Sequence, residues 1–266
     1  MNRGNGGLDG LRSLLRRTGR AAVAYSGGAD STFLLKIAQE ELTGGVLAVI
    51  VDSQVMPSGM VTEAVEQAER MGVDTAVIRM DIRTIPGLIE NGRDRCYLCK
   101  RAMFRSIISL ARARGYGTVM DGSHSGDRDG DRPGRAALKE LGVRSPLEEA
   151  GLYKEDVRHF SMLMALPTAE KPAYPCLATR IPFNDIITLD KLRQVEEAER
   201  VVADLGVGIL RVRHHGNIAR IEVPPWDMPK MLRSRELLVS RLRELGFTYV
   251  DLDLQGYRAG SMSEAP

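Results

Sequence analysis

Three sets of residues in this chain have the types and spacing for chemistry. The first is Ser26-Gly27-Gly28-Ala29-Asp30-Ser31, followed by Thr32. Paired glycines let a backbone turn tightly and come close to a ligand. Ser26, Ser31 and Thr32 add hydroxyls, and the free N–H groups of a helix starting near Ser31 favour an anion. Asp30 would repel that anion unless a cation lay between them, so the set implies Mg²⁺. The second set is cysteine. Cys96 and Cys99 share the stretch RCYLCKR, and Cys176 stands far along the chain in YPCLATR. The third set is arginine. In LRVRHHGNIARIEV the alternation of a strand puts Arg211 and Arg213 on one face, and Arg220 and Glu222 point the same way on the partner strand. Two such guanidinium groups can clamp a phosphate, and Arg258 in GYRAG adds another; a solvated hairpin face has the same pattern.

The elements that position these sets follow from periodicity. A leading helix is expected over 8–17, a short strand over 20–25, and a helix over 31–42. The run VLAVIVDS (46–53) suits a buried parallel strand. Helices at 60–71 and 95–115 then alternate with strands at 73–80 and 116–120. That order predicts an α/β fold with a doubly wound parallel sheet. Asp52 and Ser53 end its second strand, and Asp121 and Gly122 its fourth, so all four face the carboxyl-edge crevice where such sheets bind ligands. Each alone is an ordinary turn former. The polar stretch 122–133 reads as an active-site loop or a mobile flap, with His124 in it a candidate substrate contact. A helix over 153–166 leads to the proline-rich 167–183, an ordered crossing loop. Beyond it come a helix (189–205), a hairpin across Gly216-Asn217, a helix (228–245) and a strand, which make a small α+β unit. Domains of 1–183 and 184–266 are therefore expected, with a disordered tail at SMSEAP. His214 and His215 have no partners at ligand spacing and read as surface or pocket residues.

Composition excludes several classes. The apolar fraction of 43% is ordinary for a globular chain, and no apolar run reaches membrane-span length. Net charge is +2, with 30 arginines among the 37 basic residues. Without a basic block, and with aromatics at 5%, the chain does not read as a dedicated nucleic-acid binder. An odd, small number of cysteines and no apolar leader point to the cytoplasm and away from a disulfide scaffold.

Spacing leaves the cysteines open. They can hold three corners of a [4Fe–4S] cluster, or zinc with His159 or water as a fourth ligand; Cys96 and Cys99 can be a redox pair, or all three can be inert. The glycine loop is neither the kinase-type phosphate loop nor the dinucleotide fingerprint.

SGGADS resembles the pyrophosphate loop of ATP pyrophosphatases, the PP-loop of adenine nucleotide α-hydrolase-like folds. Over about residues 10–262 the chain resembles the LarE family of ATP-dependent sulfur transferases. The resemblance is carried by AVAYSGGADSTFLLKIA, RCYLCKR, VMDGSHSGDRDGDRPGRAALKELGVRSPLEEAGLYKEDVR, PCLATRIPF, VRHHGNIARIEV and DLQGYRAGSM. It implies ATP and Mg²⁺ as cofactors, with ATP over Ser26–Thr32 and Asp30 helping to hold the metal. The substrate would be a pyridinium-3,5-biscarboxylic acid mononucleotide. A carboxylate is adenylated, and sulfur then displaces AMP to leave a thiocarboxylate. Arg211, Arg213, Arg258 and Glu222 would form the substrate-phosphate site, with Arg180 beside the mixed anhydride. Cys176 falls where one branch of the family sacrifices a cysteine. Cys96, Cys99 and Cys176 match the other branch, where a [4Fe–4S] cluster carries a non-core sulfide and a sulfide-donor protein would restore it. Homo-oligomers, often hexamers, are implied as well. DGSHSGDRDGD departs from the family pattern, which makes Asp127 and Asp129 weaker ligand candidates. The tRNA thiolases and ammonia-dependent amidating synthetases share the loop and are the enzymatic alternatives; a binding module is the non-enzymatic one.

Overall fold

A computed structural model of the chain describes residues 3–129, 133–172, 175–258 and 260–263. It divides into two compact units, Met1–Ile85 with Asp94–Tyr174, and Pro86–Arg93 with Pro175–Pro266.

The first unit runs α1 (Arg3–Thr18), β1 (Ala21–Ala24), α2 (Ala29–Glu41), β2 (Val46–Ser53), α3 (Met60–Arg70), β3 (Asp74–Met80), α4 (Arg95–Ala113), β4 (Val119–Met120), α5 (Pro133–Glu140), α6 (Pro146–Glu149) and α7 (Lys154–Leu163). Its sheet has the order β3-β2-β1-β4, and every pairing is parallel. Successive strand residues feed opposite cores. Ala21, Val23, Ala48 and Ile50 pack with Leu11, Leu15, Phe33, Leu34 and Phe160 on one face. Ala22, Leu47 and Val49 pack with Phe104, Ile107 and Leu138 on the other. Helices therefore cover both faces, the doubly wound arrangement expected from the alternation of elements. One correction bears on the site: α2 begins at Ala29 with Gly28 as its N-cap, not near Ser31, so Asp30 lies in the first helical turn. The helices α5 and α6 come in addition to those expected.

The second unit runs α8 (Leu189–Ala203), β5 (Arg211–His215), β6 (Ile218–Glu222), α9 (Met228–Arg233), α10 (Arg235–Glu244) and β7 (Tyr249–Leu252). Its strands lie in the order β5-β6-β7, antiparallel then parallel. Val202, Val212, Ile221, Leu238, Leu242 and Phe247 form its core. The single helix expected over 228–245 is two, separated at Ser234, whose ψ of 12° ends α9. The tail is ordered further than expected: Ser261 Oγ donates to Glu222 Oε1 at 3.0 Å, while 264–266 lie outside the described residues.

The division falls at 174/175 rather than at the 183/184 boundary read from the sequence. The segment after Pro175 goes with the second unit because Arg180 pairs with Glu199 of α8. The strip Pro86–Arg93 joins it too. Asn91, fully buried, donates from Nδ2 to the Ile181 and Pro182 carbonyls at 3.3 and 2.6 Å. Among the described residues, no helix is long and apolar enough to cross a membrane.

Candidate functional site

In the first unit the glycine loop leaves β1 and enters α2. Gly27 has φ +70°, and a Cβ there would lie 3.0 Å from Ala64 Cβ of α3, so the position demands glycine twice over. The hydroxyls of Ser26 and Ser31 are 3.1 Å apart, Ser31 Oγ donates to Gly28 O at 3.2 Å, and Gly28 N–H donates to Ser26 Oγ at 3.4 Å. These bonds hold the turn in a tight curl. Gly122 closes over the helix start: a Cβ there would stand 3.0 Å from Ser31 N. A side chain would fill the space over the first N–H groups of α2, where an anion is favoured.

Asp30 lies beside that opening. Its Oδ1 is buried and, among the described residues, has no hydrogen-bond partner. Burial raises the carboxyl's pKa; His124, Lys154 and Arg158 pull it down and Asp127 pushes it up, and burial wins. An unpartnered buried carboxylate oxygen suits a cation. His124 is itself buried, with Nδ1 3.7 Å from Asp127 Oδ2.

Other expected ligands have different surroundings. Both Asp121 oxygens are engaged, one by Ser123 Oγ and the other by Ser145 Oγ at 2.6 Å. That buried carboxylate ties the turn that carries Gly122 to Ser145. Asp52 and Ser53 end β2, Asp52 partly exposed and Ser53 buried. Asp127 lies in the short 3₁₀ turn Ser125–Asp129, and the side chain of Asp129 is outside the described residues. Sequence reading missed the cations. Lys171 Nζ donates to Gly27 O at 3.2 Å, and Lys154 and Arg158 of α7 act on Asp30. The signal was present in GLYKEDVR, where Lys154 and Arg158 stand one helical turn apart.

The second unit gathers the arginines. Strand register pairs Arg211 with Glu222 and Arg213 with Arg220, so all four share a face. Arg213 donates from Nε and Nη2 to Glu222 Oε2 at 3.0 and 2.7 Å and from Nη1 to Thr179 O at 3.1 Å. Arg220 Nη2 reaches Glu222 Oε1 at 2.9 Å. Glu222's pKa is lowered: burial pushes it up, but the bonds and charges from Arg213, Arg220 and Ser261 outweigh that. Arg211 lies 5.3 Å from the Tyr257 ring, with Arg258 next in the same loop. Burial first, and Arg180's charge next, lower the Arg211 pKa. Among the described residues, Arg180, Arg211, Arg213 and Arg220 gather with Glu199, Glu222 and Asp253.

Arg180 is fully buried. It makes a two-pronged pair with Glu199, both bonds 2.9 Å, and donates from Nη1 to the carbonyls of Pro175 at 2.6 Å and Cys176 at 3.1 Å. Its contact is with the backbone that carries Cys176. His214 is also buried, 2.9 Å from Gln194 Oε1 and against Phe247, so it belongs to the core rather than the surface.

None of the cysteines is in a disulfide. Cys96 is exposed and Cys99 partly so, one turn apart at the start of α4 in the first unit; Cys176 is partly exposed and belongs to the second. Within either unit, no three described His, Cys, Asp or Glu side chains gather as a metal group.

Comparison with known proteins adds a lineage. No family model matches the chain. It is 38% identical over 258 residues to an uncharacterised protein of Synechocystis, covering 96% of each. It is 34% identical over 255 residues to the pyridinium-3,5-bisthiocarboxylic acid mononucleotide synthase of Lactiplantibacillus plantarum, covering 96% of this chain and 92% of that one. An uncharacterised protein of Methanocaldococcus jannaschii is 30% identical over 237 residues, covering 89% and 90%.

Proposed function

The chain belongs to the LarE family of ATP-dependent sulfur transferases, and from that premise we propose that it thiolates a carboxylate of a pyridinium-3,5-biscarboxylic acid mononucleotide. The observation that carries this reading is an intact anion loop at the carboxyl end of β1, in a chain aligned with the plantarum synthase along nearly its whole length.

ATP binds with its triphosphate over residues 26–32. The hydroxyls of Ser26 and Ser31 and the first N–H groups of α2 receive the phosphates, while Asp30 with its unpartnered Oδ1 would help hold Mg²⁺. When bound, that ion supplies charge neutralisation between Asp30 and the phosphates. The substrate carboxylate is already an anion, so no general base is required. Its oxygen bonds to the α-phosphorus, the bond to the bridging oxygen breaks, and pyrophosphate leaves with the electron pair. A sulfur nucleophile then adds to the acyl carbon, and AMP departs. The shared strand face of Arg211 and Arg213 supports them as anchors for the substrate phosphate, with Glu222 holding Arg213 in place. Arg180 keeps the Cys176 backbone in position.

We propose Cys96, Cys99 and Cys176 as ligands of a [4Fe–4S] cluster; all three are outside disulfides, and Cys96 and Cys99 stand one helical turn apart. When bound, the cluster would supply a sulfide carried outside its core, renewed by a sulfide donor. Exposed Trp226, Leu232 and Leu237 of the second unit support self-association.

The test is a product assay with this mononucleotide under anaerobic conditions. AMP, pyrophosphate and a thiocarboxylate are expected from the wild-type chain. Asp30→Asn should lose all three products, while Cys176→Ala should still release AMP and pyrophosphate but make no thiocarboxylate. ADP and inorganic phosphate as products would overturn the reading.

A further inference from the structure

The anion loop is gripped at both ends by one circuit of hydrogen bonds. Thr32 Oγ1 is 3.2 Å from the Tyr25 hydroxyl, which donates to Gln67 Oε1 at 3.0 Å. Gln67 Nε2 donates to Glu63 Oε1 at 2.9 Å, and Glu63 Oε2 pairs with Lys171 Nζ at 2.7 Å. Lys171 then returns to the loop at Gly27 O, 3.2 Å away. The donor directions are consistent along the whole path. Tyr25 has one proton and spends it on Gln67, so the Thr32 hydroxyl donates to Tyr25. Thr32, Tyr25 and Gln67 are all buried, where an unmade bond is costly. Close packing of Gly27 on Ala64 presses the loop onto the same helical turn that carries Glu63.

Neutral groups suffice to hold a loop shut, yet this circuit ends on an ammonium. Glu63 fixes the direction of that ammonium through the 2.7 Å pair. Of its three donors, two are taken by Gly27 O and Glu63, and among the described residues the third has no partner. The side chain is 18% exposed, so the group is guarded but reachable.

We propose that Lys171 binds the pyrophosphate leaving group on the loop, and that Glu63, Gln67 and Tyr25 are positioning residues that aim it. The assignment rests on the adenylation reading. In that step negative charge grows on the bridging oxygen as the bond to the α-phosphorus breaks. No proton moves, so a fixed ammonium beside the loop stabilises the departing group electrostatically.

Calorimetric titration of the full chain with inorganic pyrophosphate, and separately with AMP, tests this without turnover. Lys171→Met should weaken pyrophosphate binding by about tenfold or more, the scale of one charge-assisted phosphate contact, and leave AMP within about twofold. Lys171→Arg should keep most of the affinity. Glu63→Gln should lose less than Lys171→Met, with the same bias toward pyrophosphate. Should Lys171→Met not fold, the Glu63→Gln and Lys171→Gln variants carry the comparison. Unchanged pyrophosphate affinity in the lysine variants overturns the proposal, as does an equal loss for AMP, which marks a merely structural role. A wild-type chain that makes no AMP from ATP and the mononucleotide but binds pyrophosphate through Lys171 sinks the adenylation reading and keeps only the lysine's contact with pyrophosphate. One that does not bind pyrophosphate removes both.

Discussion

Glu222 shows how one residue can organise a charged cluster. It has no exposed surface, yet it receives bonds from Arg213, Arg220 and Ser261. A buried carboxylate is tolerable only with such partners, and removing it strands their charge. Glu222→Gln should therefore destabilise the second unit at neutral pH by about 3–5 kcal/mol, the cost of breaking a buried pair from one side. The pH dependence has a definite sign. Since the folded-state pKa is lowered, the carboxylate's contribution is full above its unfolded-state pKa and is lost as pH falls through the folded value. Denaturation midpoints of the two proteins should thus differ most near pH 7 and converge below the ordinary glutamate value of about 4.3. A gap that stays constant into acid would deny Glu222 this role. The shared face of Arg211, Arg213 and Glu222 was legible in the sequence because strand alternation is strict. Glu199 was not, because nothing in a helical repeat says which acid will meet an arginine in a distant loop.

At the scale of elements, the strand–loop–helix unit around Gly28 was legible almost entirely, down to the serines that curl it. The helix start was placed late because a glycine and an alanine carry weak capping signals, and the backbone chose Gly28 as cap. The surroundings of Asp121 were not legible for another reason. Its serine partners, Ser123 and Ser145, come from two separate turns, and only tertiary structure brings the second of them near. The close approach of Gly122 to Ser31 N yields a prediction of its own. Gly122→Ala adds one methyl where only backbone can yield. ATP affinity should fall by about tenfold or more, with a small loss of stability, because overpacking displaces the α2 entrance before it unfolds the sheet. Equilibrium binding of a non-hydrolysable ATP analogue measures this; undiminished affinity would mean that β4 does not border the phosphate site.

For the whole molecule, the alternation of strands and helices made the first unit's class plain. The short α5 and α6 escaped notice beside a polar loop, and Ser234 divided a helix whose apolar pattern runs on without a break. The three cysteines belong to both units, two to one and the third to the other. On the cluster proposal each of the three thiols is a ligand, so iron loading should fail when any one is lost. Anaerobically reconstituted wild-type chain should hold about four irons and four sulfides, and Cys96→Ser or Cys176→Ser far less. Equal iron in these variants would remove the trio from metal binding. The strip Pro86–Arg93 has a separate consequence, felt during synthesis. It leaves the ribosome well before residues 175–187, which its Ile89 and Asn91 carbonyls and the Asn91 amide must meet. Until translation is nearly finished, a fragment of the later-made unit waits within the earlier one with its backbone unclaimed.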